Sequence, residues 1–258
     1  MKSLIIFEVK NNRYAIDLEY IQRIAQIPKI TDIPNAHEYV DGMMSYKQGV
    51  IKVVNFRKMT NLDSFDSDLK MLFLDLKEQH TTWVQTLKNS VEKGVEFDLA
   101  TDAHACNLGQ WLDGFTSYDE RVSTIVKELN SFHKQLHKSA ISILETAKYD
   151  QDKALKEINE SVMSIYNSTI HQLDQFMVEF DVVSDSLQKL LLYHGDECEF
   201  ALKVDAIIDI AHVDKAIIKE SEANYKISPY LELEGVIELD SVLVNMVKSI
   251  KLPIKEVS

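Results

Sequence analysis

Residues 4–27, LIIFEVKNNRYAIDLEYIQRIAQI, align without a gap to residues 190–213, LLLYHGDECEFALKVDAIIDIAHV. Each copy has an apolar run, a polar turn (Lys10-Asn11-Asn12 or Gly195-Asp196-Glu197) and an aromatic-Ala-aliphatic triplet, Tyr14-Ala15-Ile16 or Phe200-Ala201-Leu202. Chance is the weaker explanation of so long a match, so the two ends read as copies of a duplicated β unit. Further on, residues 39–56 and 230–247 each place two strand-like runs across a turn. Short strands with close turn signals predict a small barrel or sandwich in each half.

The middle is of another kind. Prolines stand at 28, 34, 229 and 253, and none falls between Met59 and Lys189. Helical apolar stripes run through this stretch. The first comprises Leu69, Leu72, Phe73, Leu76, Trp83, Val84, Leu87 and Val91, with His80 lying in it. A second runs from Val122 to Ala147, flanked on one side by His133 and His137, and a third from Ala154 to Leu187. With a short helix around 104–113, these stripes predict an antiparallel four-helix bundle. The expected organisation is α+β and multidomain: a β domain in two pieces, 1–64 and 187–258, interrupted by a helical domain over 65–186.

Composition narrows the function. A formal charge of −13 and a pI near 5.1 argue against a broad nucleic-acid or anionic-membrane surface. No apolar run approaches the roughly 20 residues that span a bilayer, and the opening MKSLIIFEVK lacks a long apolar core and a cleavage site. A cytoplasmic location without membrane insertion is expected. The two cysteines, Cys106 and Cys198, are too few for a disulfide framework.

The histidines of SFHKQLHK, His133 and His137, stand four apart, a spacing that lets two imidazoles on a helix reach one ion. Singly, each has a plainer reading as a hydrogen-bonded core residue. Cys106, in CNLGQWL, reads alone as a small buried apolar side chain. Together, His80, Cys106, His133 and His137 offer three imidazoles and a thiolate from three converging segments, a tetrahedral set for Zn²⁺. His104, two residues before Cys106, is a substitute ligand. A hydrolytic site would need one ligand to stand aside and a carboxylate base, for which Glu78 and Glu128 are candidates. The β halves show no phosphate loop, nucleophile–base pair or carboxylate pair, so no enzyme is expected.

The pattern H-x-x-W (His80, Trp83), C-x-L-G-x-W-L (Cys106 to Leu112) and H-x-x-x-H (His133, His137) resembles the chemoreceptor zinc-binding (CZB) domain over roughly 70–186. That resemblance implies a four-helix bundle holding zinc by three His and one Cys, as a sensor of zinc or of oxidants such as hypochlorous acid. The flanks resemble the CheW-like coupling domain, which implies two SH3-like β-barrels from pseudo-repeats. The carrying stretch is IPNAHEYVDGMMSYKQGVIKVVNFRKM, whose Asn55, Phe56 and Arg57 keep the end of the family pattern. Lys47 stands where the family has arginine, and Lys52 where it has proline; Arg and Lys are not equivalent at a directional contact.

The resemblance implies an adaptor binding the histidine kinase CheA and chemoreceptor tips, with Tyr46 and Lys47 as candidate partner-binding residues. Pairing of two copies through the helical bundle is also allowed. Alternatives are a constitutive scaffold with a purely structural zinc, or an adaptor for a non-chemotactic kinase.

Overall fold

The computed structural model describes residues 2–195, 198–214 and 219–252. Two compact units emerge: residues 1–65 with 185–258, and residues 66–184.

The first unit is built of β1 (Lys2–Val9), β2 (Asn12–Asp17), β3 (Ile21–Ala25), β4 (Val40–Tyr46), β5 (Gly49–Asn55), a one-turn helix α1 (Phe56–Met59), β6 (Lys189–His194), β7 (Glu199–Val204), β8 (Ala206–Val213), β9 (Lys219–Ser228), β10 (Leu231–Leu239) and β11 (Val242–Ile250). One sheet has the order β8-β1-β2-β11-β10-β9, the other β3-β6-β7-β5-β4. Apart from the extra edge strand β9, the orders are the same under the sequence duplication: β1 corresponds to β6, β2 to β7, β3 to β8.

The halves are nevertheless exchanged. Strand β8 pairs with β1 and β3 with β6, so each third strand leaves its own copy and edges the other. Likewise β11 runs parallel to β2, and β5 parallel to β7. The expectation of one β body per half is corrected here. Both sheets draw strands from both sides of the helical segment, because pairing partners are chosen by packing rather than by nearness in sequence.

The apolar runs are continuous because both faces of these strands are buried. Ile5, Phe7, Tyr14 and Ile16 join Leu191, Tyr193, Phe200 and Leu202 in one core shared by the two sheets. The alternate residues Leu4, Ile6 and Ala15 pack with Ile237, Val244 and Met246, and Leu190, Leu192 and Ala201 pack with Met44, Ile51 and Val53.

The Asn55-Phe56-Arg57 triplet now has a structural reason. Asn55 caps α1, its side chain accepting from the Arg57 and Lys58 amides. Phe56 is wholly buried against Phe7 and Tyr14. Buried Arg57 donates through Nε (2.8 Å) and Nη2 (2.6 Å) to the Asp205 carboxylate. The same guanidinium bonds the Asp63 carbonyl, and the Lys10 amide also donates to Asp205. Gly42 is equally constrained. Its φ is +147°, and a Cβ there would stand 2.4 Å from the Thr31 carbonyl oxygen.

The second unit holds α2 (Phe65–Lys93), α3 (Asn107–Gly114), α4 (Glu120–Ala147), α5 (Gln151–Glu157), α6 (Met163–Val178) and α7 (Phe180–Leu187), the last crossing back into the first unit. A π-turn over Ile158–Val162 makes α5 and α6 one continuous rod. Asp119 and Asp150 cap α4 and α5. Trp83, Val84, Leu87 and Val91 of α2 pack on Leu136, Ala140 and Ile143 of α4 and on Ala154, Ile158 and Val162. Phe73, Trp111, Phe115 and Phe176 pin α3 between α2 and α6, with Trp111 stacked on Phe115 at 4.6 Å. Two details depart from expectation. Leu72 is 37% exposed, and the single helix expected to Leu187 breaks after Val178.

Removing one partner of a buried ion pair strands the other charge, at a cost of about 3–5 kcal/mol. Arg57→Ala or Asp205→Ala is expected to lower hydrogen-exchange protection across β5 and β7 accordingly. The apolar pair Arg57→Met with Asp205→Leu is expected to recover most of the loss.

Candidate metal centre

His80 sits mid-way along α2 and His133 and His137 one turn apart on α4; Cys106 is the N-cap of α3. One ligand atom from each of the four lies within 4.8 Å of all the others. Cys106 Sγ is 3.1 Å from His133 Nε2 and 3.9 Å from His80 Nε2. Zn–N near 2.0–2.1 Å and Zn–S near 2.3 Å require donor separations of roughly 3.4–3.7 Å, so the Cys106–His133 pair must open slightly and the wider pairs close. The histidines are no more than 2% exposed, and Cys106 is half-buried.

Backbone carbonyls orient two of the rings. His80 Nδ1 lies 2.7 Å from the Leu76 carbonyl oxygen and His137 Nδ1 2.9 Å from that of Ala100. A proton on each Nδ1 then donates to the carbonyl and leaves Nε2 as a lone pair facing the group. Trp83 Nε1 donates to the same Ala100 oxygen at 2.8 Å, so the tryptophan fixes the acceptor that orients His137. His133 has no such support. Its Nδ1 and the Nε2 of His137 are buried without a hydrogen-bond partner. Each such orphan costs about 1–3 kcal/mol. A cation answers that of His137 directly.

Gly109 explains how Cys106 is placed. A Cβ on Gly109 would lie 1.8 Å from the Ala103 carbonyl oxygen, so only glycine lets the 103–105 turn close on α3. The Ala103 oxygen accepts from Cys106 Sγ at 3.3 Å, and the Gly109 amide points at that sulfur from 3.4 Å.

Burial pushes the Cys106 thiol up, partly offset by the amides of Gly109 and Leu108. Burial lowers His80 and His137, and lowers His133 to about 2, aided by its neighbours His80 and His137. Without a cation the group is therefore four neutral donors. Such a set suits a soft or borderline divalent metal, whereas carboxylate-rich sites take Mg or Ca.

The structure leaves His104 outside the group: it is exposed and lies 2.7 Å from Asp113 Oδ2. All four expected donors converge within 4.8 Å of one another. Glu78 lines the adjoining cleft, and Glu128 is not among the residues that line it. The Leu76 and Ala100 carbonyls were invisible to sequence reasoning, since backbone oxygens carry no residue signature. The C-x-L-G spacing held the only trace of Gly109's role. The candidate partner residues lie in the first unit. Tyr46 Oη donates to Gln22 Oε1 at 2.7 Å; exposed Lys47, at φ +52°, reaches the same oxygen at 3.3 Å and lies 3.6 Å from Glu199.

Among the described residues no helix is long and apolar enough to cross a membrane. Gly109→Ala is expected to destabilise the helical unit by about 1–3 kcal/mol and to speed alkylation of Cys106, measured by thermal melting and thiol labelling. The buried histidines also set an acid limit. Their folded values lie below the ordinary 6.5, so the unfolded chain binds more protons once the pH drops below that value. With no cation bound, the helical unit is expected to keep its full stability above pH 6.5 and to lose it progressively toward pH 4, in helical circular dichroism. His133→Gln is expected to flatten that slope.

Residues 3–129 match the family model of the CheW-like domain, a span that takes in β1–β5 and runs through α2 and α3 into α4. The chemotaxis protein CheW of Bacillus subtilis (strain 168) is 23% identical over 92 residues. That alignment covers 35% of this chain and 59% of the relative, so the chain spans little more than half of that protein's length. Among solved structures, the scaffolding protein TtCheW from Thermoanaerobacter tengcongensis is similar at 10% identity and a TM-score of 0.45, over 96% of this chain and 88% of that one. The regulatory CZB domain of DgcZ is similar at 13% identity and a TM-score of 0.38, over 45% of this chain and 98% of that one. Residues 3–129 are thus similar to a CheW-like domain, and three histidines and a cysteine converge in the helical unit.

Proposed function

We propose that the chain is a non-enzymatic cytoplasmic signalling adaptor. Its CheW-like part, read as two SH3-like barrels, would couple chemoreceptor tips to the histidine kinase CheA. The segment between its halves would be a four-helix CZB domain binding one zinc ion through His80, Cys106, His133 and His137. The family match and the name of the Bacillus relative support the adaptor. The convergence of four neutral donors within 4.8 Å carries the metal. Zinc, when bound, supplies the charge that keeps the Cys106 thiol deprotonated.

The residues divide the work. His80 and His137, held by carbonyls, are the fixed donors. Cys106 is the most exposed of the four and lines an open cleft, so it is the donor an oxidant meets first. Hypochlorous acid takes two electrons from the thiolate; a sulfur–oxygen bond forms, chloride leaves, and Cys106 becomes a sulfenic acid. That neutral group is a poorer ligand, so oxidation weakens the hold on the metal. The output follows chain connectivity. The helical segment leaves the β unit after β5 and α1 and returns into β6, and both strands belong to the sheet whose β4 carries Tyr46.

A structural role for the ion has one observation in its favour, the near-complete burial of the three histidines. Metal removal separates the readings: a structural zinc leaves a melted helical unit, a regulatory one a folded unit with altered partner binding. The full chain is expected to carry one zinc by elemental analysis. Capture of CheA and a receptor cytoplasmic fragment is expected to change on chelation and in Cys106→Ser. Unchanged capture in both would remove the regulatory claim.

A further inference from the structure

Beside the four donors a cleft of about 520 Å³ opens to solvent. His80, Cys106 and His137 line it and His133 does not, so this cleft reaches the group from the side opposite His133. Asp75 and Glu78, three apart on the exposed face of α2, stand at this opening. Asn107, next to Cys106, donates to Gln79 Oε1 at 3.0 Å, and Gln79 Nε2 donates to Asp75 Oδ2 at 2.7 Å. This chain of hydrogen bonds ties the Cys106 segment to α2 and orients the Asp75 carboxylate. Asp102 adds a third negative charge, felt by both Cys106 and His137. Of the basic groups nearby, Lys77 pairs with Asp174 and His104 with Asp113, while exposed Lys134 adds positive charge on the His133 side.

Exposed carboxylates alone would signify little. Here a second feature points to a cation. His137 is 1% exposed, lines the cleft, and its Nε2 has no hydrogen-bond partner. We propose that this cleft is the route by which a divalent cation reaches and leaves the four-donor group, with Asp75 and Glu78 as a transient station for the hydrated ion at its opening. The inference rests on the metal-binding reading above and adds the path. The carboxylates concentrate the hydrated cation by charge. The ion then sheds water as it meets Cys106 and the lone pairs of His80 and His137, and His133 closes the set from behind. Neither carboxylate is a final ligand, so their loss changes rates and leaves the final coordination alone.

The test uses the full chain stripped of metal and mixed rapidly with Co²⁺ alone, whose thiolate absorption band reports the completed site. At low salt the pair Asp75→Asn with Glu78→Gln is expected to bind at least about threefold more slowly than the parent. The gap is expected to close in 1 M salt, where the screening length falls to about 3 Å, and the final spectrum to be unchanged. Leu99→Trp, which fills the wall of the cleft, is expected to slow both uptake and release with the same final spectrum. Equal uptake by the carboxamide pair and the parent at low salt would overturn the proposal, as would unaltered rates in Leu99→Trp. A parent protein that takes up no Co²⁺ at all would refute the metal-binding reading itself, a different result from uptake by another route.

Discussion

The parallel pairing of β5 with β7 is the constraint on which the β unit depends. Val53, Val54 and Asn55 lie against Ala201, Leu202 and Lys203, residues from opposite sides of the helical segment. Parallel neighbours always need a long crossover between them, and this is the connection that carries the helices. Loop-closure entropy rises only with the logarithm of length. Lengthening a flexible connection roughly tenfold costs about 2 kcal/mol, less than the buried Arg57–Asp205 pair stands to lose when broken. That ion pair joins the end of β5 to the end of β7 and closes the ring at the point where the chain departs. The exchanged strands β3 and β8 complete the lock, since neither half keeps a full sheet without the other.

The helical unit solves a different problem, that of holding polar groups in a dry core. Burial keeps all four donors neutral, and carbonyls of Leu76 and Ala100 fix two of the three rings. Trp83 and Gly109 serve the same end by different means, one by sharing an acceptor with His137, the other by leaving space beneath the turn that presents Cys106. The ring without a second partner, His133, is also the one nearest the sulfur. Backbone groups thus hold three of the four donors, the Leu76 and Ala100 carbonyls for His80 and His137 and the Ala103 oxygen and Gly109 amide for Cys106, while His133 meets the sulfur alone.

Strand identity was legible because a repeat announces itself: the ungapped alignment of 4–27 with 190–213 pairs β1 with β6, β2 with β7 and β3 with β8 as structural equivalents. Strand partners were not legible. Nothing local tells β3 to edge β6, because the choice is made by long-range packing in the shared core of Phe7, Phe56 and Phe200. The four site residues were readable from type and spacing, each lying in or beside an apolar stripe. The seam actually runs through Leu69, Phe73, Leu76, His80, Trp83 and Leu87, and Leu72 falls beside it, a distinction of one side-chain width that periodicity does not make. The Asn55-Phe56-Arg57 triplet was recognised as a family signature, yet the cap, the buried ring and the ion pair that explain it needed Asp205, far away in the chain.

The account stands or falls on the coordination sphere. X-ray absorption at the zinc edge of the full chain tests it most directly. Three nitrogen scatterers near 2.0–2.1 Å and one sulfur near 2.3 Å are predicted, the sulfur shell disappearing in Cys106→Ser. A shell of oxygen and nitrogen alone in the parent protein would contradict it.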